Sequence, residues 1–255
     1  MPRLDQLLVS QGLARSRTRA QRLIRHGRVS LADGHRVLTK PGEKLADDTR
    51  LLVTDDPEDR YVSRAGLKLE ALLDELGLRL DDLRVLDVGQ STGGFTDCAL
   101  HHGARHVIGV DVGHGQLDPQ LRRDPRVTCL EGMNARTMAT DARLLDALSH
   151  HGVNTPDLAV MDVSFISQTL ILPAIAALLS PGGALLSLVK PQFEVGPNGV
   201  NARGLVTEPT RRHPEVQQRI HRCCEEYGLR IQHWQPSPLL GGDGNQEFLL
   251  YARRE

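Results

Sequence analysis

Two of the four lysines in this chain and two of its acids occupy positions that suit acid–base chemistry. Lys190 ends an apolar run in LVKPQFE, and Asp162 ends another in VMDVSFIS. Lys68 lies in a helical stretch ahead of both runs, and Glu247 begins the last apolar run in GNQEFLL. Lysine, unlike arginine, becomes a neutral amine when it is desolvated or placed beside another cation. The set predicts a site that removes an alcohol proton during attack on an electrophile. Each residue taken singly is more simply interpreted as part of a surface ion pair.

A glycine-rich turn in LDVGQSTGGFTD follows the first strand predicted in the larger part of the chain. Such a turn lets the backbone approach a ligand closely at the carboxyl end of a strand. It is not GxGxxG, and no lysine follows it as in a phosphate-binding loop. Asp87 at the strand end instead suits a cofactor with positive charge, such as a sulfonium with an amino-acid tail. Asp111 ends the second strand and is placed to accept hydrogen bonds from a ribose diol, so the pattern predicts a nucleoside cofactor. Asn134, after the third strand, is placed to face the adenine edge or is simply a turn residue.

Apolar strands alternate with helices from residue 61 onward, which predicts an α/β domain over residues 61–255 with a mostly parallel, doubly wound sheet. Only a Pro/Gly-rich loop separates the last two strands, so these two are expected to be antiparallel. The predicted strands are residues 84–88, 106–110, 127–131, 157–161, 184–189, 230–234 and 247–252. The predicted helices are residues 64–76, 96–102, 141–150, 168–179 and 209–227.

The N-terminal part has shorter predicted elements than the rest of the chain and a strongly basic charge. Residues 1–44 contain ten Lys/Arg and three acids, a local charge of +7 in a chain whose net charge is -1. Two short helices and strands at 28–31, 36–38 and 50–54 predict a small α+β domain over residues 1–54, with a polar linker at 55–60. The basic arm suits a polyanion, although a charge run alone is usually a solvated helix face. The residues of this arm expected to contact such a polyanion are Arg3, Arg15, Arg17, Arg19, Arg22 and Arg25.

Several classes of protein are excluded by what the sequence lacks. The four cysteines have no metal-ligand spacing, so no metal is expected and free thiols in a reducing compartment are predicted. The first residues have no apolar signal-peptide core, and no apolar run approaches the roughly 20 residues that span a bilayer. A cytoplasmic protein without membrane contact is therefore expected.

The motifs together resemble the hemolysin-A-type (TlyA) ribosomal RNA methyltransferases over essentially the whole chain. The first segment resembles the RNA-binding fold named after small-subunit ribosomal protein four, and the rest resembles the Rossmann-like, seven-stranded ribose 2'-O-methyltransferases of the FtsJ type. The motifs that carry the resemblance are RLDQLLVSQGLARSRTRAQRLI, YVSRAGLKL, LDVGQSTGGFTD, VDVGHGQL, VMDVSFIS, LVKPQFE and GNQEFLL.

This resemblance implies S-adenosylmethionine-dependent methylation of a cytidine ribose in ribosomal RNA, with the ribosomal subunit as partner and the six N-terminal arginines as RNA-binding residues. Apart from the resemblance, a monomer is favoured. The family's Lys-Asp-Lys-Glu tetrad maps onto Lys68, Asp162, Lys190 and Glu247, of which Lys190 acts most directly on the 2'-hydroxyl. The implied cofactor-binding residues are Asp87, Gly89, Ser91, Gly93, Gly94, Phe95, Asp111, Asn134 and Asp162.

Three alternatives compete with this interpretation. A pore-forming cytolysin is disfavoured because the sequence has no spanning helix, secretion signal or long alternating barrel strands. A ribosome-assembly factor with an inactive methyltransferase fold is opposed by the intact tetrad. Base methylation often uses a Pro-Pro-aromatic loop after the fourth strand, where this chain has Asp162 followed by Val-Ser-Phe. Gln90 and His114 depart from the family pattern near the cofactor, and Gln90 leaves some room for the second alternative.

Overall fold

The structure, a computed structural model, describes residues 1–14, 16–56, 59–150 and 154–255. These residues form two units, Met1–Arg60 and Tyr61–Glu255. The first unit includes Asp55, Asp56, Asp59 and Arg60 from the predicted linker, whereas residues 57 and 58 lie outside the described residues. No helix among the described residues has both the length and the apolar composition that crossing a membrane requires.

The first unit packs two helices on a small sheet. Its elements are α1 (Leu4–Ser10), α2 (Arg17–Arg25), β1 (Val29–Leu31) and β2 (Leu51–Val53), and the two strands are antiparallel. Ser16 begins α2 because its hydroxyl accepts the Arg19 backbone N–H at 3.2 Å. The strand predicted at 36–38 is wrong: Val37 forms only an isolated bridge with Ser30.

The second unit contains a seven-stranded sheet in the order β5-β4-β3-β6-β7-β9-β8. The strands β3 to β7 are parallel, whereas β9 runs antiparallel to both of its neighbours. The antiparallel pairing of β8 with β9 was predicted. The strands are β3 (Arg84–Val88), β4 (His106–Asp111), β5 (Val127–Glu131), β6 (Leu158–Met161), β7 (Ala184–Val189), β8 (Leu229–Pro236) and β9 (Phe248–Arg254). The helices are α3 (Ala65–Leu76), α4 (Gly94–His101), α5 (Pro119–Arg123), α6 (Ala142–His150), α7 (Leu172–Leu178) and α8 (Pro209–Glu226).

One helical prediction needs correction and one short helix was missed, and in each case a proline lies in the first turn of the observed helix. The helix predicted over 168–179 is a short 3-10 turn, Gln168–Leu170, followed by α7. Pro173 lies in the first turn of α7, where its missing N–H breaks no helical hydrogen bond, and this favours a helix start at that point. The helix α5 was not predicted, although Pro119 begins it and Asp118 caps it by accepting the Gln120 N–H at 2.8 Å.

The topology opens one crevice at the carboxyl edge of the sheet. The chain proceeds from β3 outward to β4 and β5, then returns to the other side of β3 as β6 and β7. Loops at such a reversal point diverge and leave a crevice for ligands. Strands β3, β6 and β7 are almost continuously buried, so their first polar residues beyond the apolar run emerge at this edge.

Candidate active site

A buried ion pair joins two segments that are far apart in the sequence. Lys68, on α3, pairs with Glu247, which directly precedes β9. Lys68 is 5% exposed and Glu247 is 2% exposed, so both charges are removed from water. Because an unpaired buried charge is very costly, removal of either residue would leave the charge of the other uncompensated.

A second ion pair lies at the ends of two neighbouring parallel strands. Asp162 follows β6 and Lys190 follows β7, and the Lys190 Nζ is 2.6 Å from the Asp162 Oδ1. The Lys190 Nζ also donates a hydrogen bond to the Ser164 Oγ at 2.8 Å. These two contacts hold the amine in one orientation.

The two ion pairs form one electrostatic cluster. Burial raises the pKa of Glu247, and Lys68 opposes that rise most strongly. Lys190 also lowers the pKa of Glu247, whereas Asp162 raises it. The four residues therefore act on one another, and with two cations and two anions the ionised cluster has no net charge.

A cavity of about 630 Å³ adjoins this cluster. Asp162 and Ser164 line it together with residues from the ends of the strands β3, β4 and β5. Its lining includes five of the predicted cofactor-binding residues: Gly89, Ser91, Asp111, Asn134 and Asp162. The catalytic and cofactor predictions therefore meet at Asp162.

Asp111 organises the rim of the cavity. Its two carboxylate oxygens accept the backbone N–H groups of Ser91 and Gly113, each at 2.7 Å. Each carboxylate oxygen has a second lone pair, so Asp111 can still accept hydroxyl groups from a ligand. Gly89 is required beside it, because its φ is +87° and a Cβ there would lie 2.6 Å from the carbonyl oxygen of Asp162.

The other four predicted cofactor-binding residues, which are Asp87, Gly93, Gly94 and Phe95, are not part of this lining. Gly93, at φ +95°, has no room for a Cβ beside Leu117, and the Phe95 side chain is 3% exposed within the core. Asp87 is fully buried, which raises its pKa to about 7 against a 2.6 Å hydrogen bond from the Thr96 hydroxyl. Direct cofactor contact by these four residues stays a prediction.

Gln90 lies inside the protein rather than in the cavity. Its side chain is 3% exposed, and its Nε2 donates to the Thr96 Oγ1 at 2.9 Å. A Cβ on Gly109 would collide with the Gln90 amide. The glycine in β4 therefore provides the space that this unusually large residue needs.

Phe165 was missed in the sequence, although it is one of only four phenylalanines and directly follows the Asp162 segment. The Phe165 side chain lines the cavity, is 91% exposed, and its backbone has φ +64°. Its ring touches that of Phe193, with centroids 5.1 Å apart. An exposed aromatic ring on a strained backbone, beside the tetrad, indicates a surface that stacks on a planar ligand.

The loops that carry Asp162 and Lys190 are joined by Glu194. The Glu194 carboxylate is buried and accepts the Ser167 hydroxyl at 2.6 Å and the Gln168 backbone N–H at 2.7 Å. Burial raises the pKa of Glu194, while these two donors oppose the rise. These hydrogen bonds hold the loop after β6 against the loop after β7.

The predicted RNA-binding arginines lie in the first unit. Arg3 and Arg17 both pair with Asp5, at 3.1 and 3.2 Å. Asp5 is fully buried, and Arg3 holds the pKa of its carboxyl well below the usual range. Arg25 is exposed, and Arg15 lies outside the described residues.

Arg19 and Arg22 are engaged by acids of the same unit. Both of their guanidinium groups pair with Asp59, and Arg22 also lies 3.6 Å from Asp56. These two arginines are not simply solvated, which charge counting along the sequence did not indicate.

A seven-stranded sheet of this order, with an antiparallel strand inserted between β7 and β8, is the Rossmann-like architecture shared with solved methyltransferase structures. The same fold occurs in an S-adenosylmethionine-dependent methyltransferase from Methanosarcina mazei, at a TM-score of 0.50 and 15% identity over 71% of this chain and 96% of that one. Residues 61–254 match the FtsJ-like methyltransferase family, and residues 2–50 match the S4 domain. The chain belongs to the FtsJ-like methyltransferase family, with an S4 domain ahead of the enzyme fold.

Relatives of known name extend over nearly the whole chain. The 16S/23S rRNA (cytidine-2'-O)-methyltransferase TlyA of Mycobacterium tuberculosis is 41% identical over 99% of this chain and 90% of its own length. Hemolysin A of Brachyspira hyodysenteriae is 36% identical over 98% of both chains. A solved structure described as a hemolysin from Streptococcus thermophilus superposes with a TM-score of 0.74 at 40% identity, covering 99% of this chain and 88% of that one. The resemblance seen in the sequence is confirmed.

Proposed function

We propose that this chain is an S-adenosylmethionine-dependent methyltransferase that methylates the 2'-hydroxyl of a cytidine ribose in ribosomal RNA. The observation that carries the proposal is the neutral cluster of two lysines and two acids beside a cavity of about 630 Å³. The family match and the printed activity of the Mycobacterium tuberculosis relative support it. With ribosomal RNA as the substrate, the enzyme works in the cytoplasm.

The residues present fit the cofactor. The cavity volume of about 630 Å³ lies within the range of roughly 300–1,000 Å³ that is usual for small-molecule sites. Asp111 has lone pairs left for the ribose diol, and Asn134 lines the same cavity. The Asp87 Oδ1 is buried without a hydrogen-bond partner among the described residues, so it offers an acceptor for a cationic group. When bound, S-adenosylmethionine supplies an electrophilic methyl group.

Lys190 is the residue that acts on the hydroxyl proton. Asp162 and Ser164 occupy two directions around its Nζ, and both of these residues line the cavity. In the proposed step the Lys190 ammonium first passes a proton to the Asp162 carboxylate, 2.6 Å away. The resulting amine then takes the proton of a ribose hydroxyl bound there, as the hydroxyl oxygen attacks the methyl group. Lys68 and Glu247 form the buried half of the cluster and hold its charges in place without solvent rearrangement.

Base methylation lacks this support. A ring nitrogen attacks with an existing lone pair, so it needs no cationic partner for an ionising hydroxyl. The exposed Phe165 ring instead offers a stacking surface for the target base while its ribose meets Lys190. The S4 domain match and the basic N-terminal unit support RNA, in the form of a ribosomal subunit, as the partner.

The test is methyl transfer from labelled S-adenosylmethionine to unmethylated ribosomal subunits, followed by digestion to nucleosides. We expect 2'-O-methylcytidine from the wild type and a loss of about 10²–10⁴-fold in Lys190→Ala, the usual range for a lost acid–base group. Lys190→Arg keeps the charge but cannot take the proton, so it should be nearly as impaired.

Binding of S-adenosylhomocysteine, measured by calorimetry, controls for a damaged cofactor site in both variants. Label on a base would refute the ribose assignment. Failure to methylate either subunit, despite cofactor binding, would favour an assembly factor.

A further inference from the structure

The acidic segment that follows β2 contacts the basic face of α2 within the first unit. Arg19 pairs with Asp59 at 2.9 Å, and Arg22 pairs with the other oxygen of the same carboxylate. Asp56 accepts contacts from the same helix, with its carboxylate 3.1 Å from the His26 ring nitrogen. Two successive turns of α2 and its C-terminal end are therefore covered by Asp56 and Asp59.

These acids occupy the positions that RNA phosphates would take on the same helix. A carboxylate is planar and a phosphate is tetrahedral, but both present anionic oxygens that accept two hydrogen bonds from one guanidinium group. Asp59 bridges Arg19 and Arg22, as one phosphate bridges two arginines on a helix face. The acidic segment thus presents to the arginines of α2 the same kind of acceptor that an RNA phosphate would present.

Asp56 and Asp59 do not accept hydrogen bonds from all of the arginine N–H groups around them. A cavity of about 530 Å³ adjoins the pairs and is lined by Arg19, Arg28 and Arg60 as well as by the acids. The Nε groups of Arg19 and Arg28 are buried without a hydrogen-bond partner among the described residues. Arginine offers five donors, and a phosphate chain can satisfy more of them than two isolated carboxylates can.

We infer that Asp56 and Asp59 compete with RNA phosphates for Arg19, Arg22 and His26, and that RNA binding displaces them. The inference rests on the proposed function, because it needs α2 to be an RNA-binding surface. The arginine side chains are 30% exposed and Asp59 is 17% exposed, so the pairs with Asp59 are open to water and can exchange for phosphate. The competition lowers affinity for RNA that engages α2 alone and favours RNA that makes further contacts.

The test compares two double variants with the same change in charge. Asp56→Asn/Asp59→Asn removes the competing carboxylates, whereas Asp47→Asn/Asp48→Asn neutralises two exposed acids that have no ion pair among the described residues. Affinity of the full chain is measured by fluorescence anisotropy with a labelled 16-base-pair RNA hairpin, with melting temperatures taken for every variant. Asp59→Asn alone serves if the double variant folds poorly.

We expect the first variant to bind about 3- to 30-fold tighter than wild type, the range for two or three weak ion pairs, with little change in the control. The affinity of this variant should also depend more steeply on salt concentration. In the wild type the displaced carboxylates take up cations, which offsets part of the counterion release from the RNA. Equal tightening in both variants would reduce the effect to net charge and overturn the inference. Weaker binding in the first variant would overturn it too, since the acids would then be holding the arginines ready for RNA.

Failure of the inference is separable from failure of the proposed function. Wild-type methylation of subunits with no difference between the two double variants defeats only the inference. Absence of both hairpin binding and methylation in wild type and variants defeats both.

Discussion

Removing Lys68 alone should destabilise the protein far more than removing Lys68 and Glu247 together. In Lys68→Met, Glu247 remains buried at 2% exposure without the residue that most opposes its raised pKa. The pKa of Glu247 then rises further, and the residue keeps a proton at neutral pH. In Lys68→Met/Glu247→Gln, a neutral amide of the same shape replaces that protonated acid.

The difference between the two variants is the cost of protonating Glu247. The unfolded chain releases this proton near its ordinary pKa of 4.5. A folded-state pKa raised above that value confers stability at low pH that is lost as the pH rises. The cost is about 3 kcal/mol at pH 7 and about 1 kcal/mol at pH 5. At about 2–4 °C per kcal/mol for a domain of this size, the double variant should melt about 6–12 °C above the single variant at pH 7.

The assay is thermal unfolding of both variants by circular dichroism at pH 7 and pH 5, with methyl transfer measured in parallel. We expect the gap in melting temperature to shrink at pH 5, and both variants to be inactive because the cluster has lost its buried half. Coincident melting at pH 7, or a gap that does not change with pH, would refute the buried pairing of Lys68 with Glu247. An active double variant would refute its role in the site.

Two further predictions concern the packing beneath the cavity residues and the exposed ring that lines the cavity. Gly109→Ala should lower the free energy of unfolding by about 1–3 kcal/mol, because the new methyl group collides with the Gln90 amide. Adding Gln90→Ala should recover most of that loss, as measured by thermal melting. A double variant as unstable as Gly109→Ala would contradict this packing. Phe165→Gly relieves a backbone at φ +64° and removes the exposed ring, so it should keep or raise the melting temperature. It should lower kcat/KM for RNA by about 5- to 150-fold, the value of one stacked base, while Phe165→Tyr stays active; full activity in Phe165→Gly would rule out stacking.

Much of the fold was predictable because its signals are local. Buried parallel strands read as short apolar runs, so all seven strands of the large sheet were found within a few residues of their observed bounds. Their ends were therefore known as well, and with them the positions of Asp111, Asp162 and Lys190. Short elements such as α5 were missed because a five-residue helix carries no periodicity.

The sequence by itself determined which residue types stand at the strand ends, and the resemblance joined three of these, Asp162, Lys190 and Glu247, with Lys68 on a helix to form a tetrad. Only the tertiary structure decided how they pair, because Lys68 and Glu247 are 179 residues apart and no local pattern joins them. The same holds for Gln90, whose size is accommodated by a glycine on the neighbouring strand. It also holds for Arg19 and Arg22, whose charges are met by acids that sequence analysis assigned to a linker. Local propensity depends on neighbours along the chain, whereas charge pairing and close packing depend on which distant segments folding brings within a few ångströms.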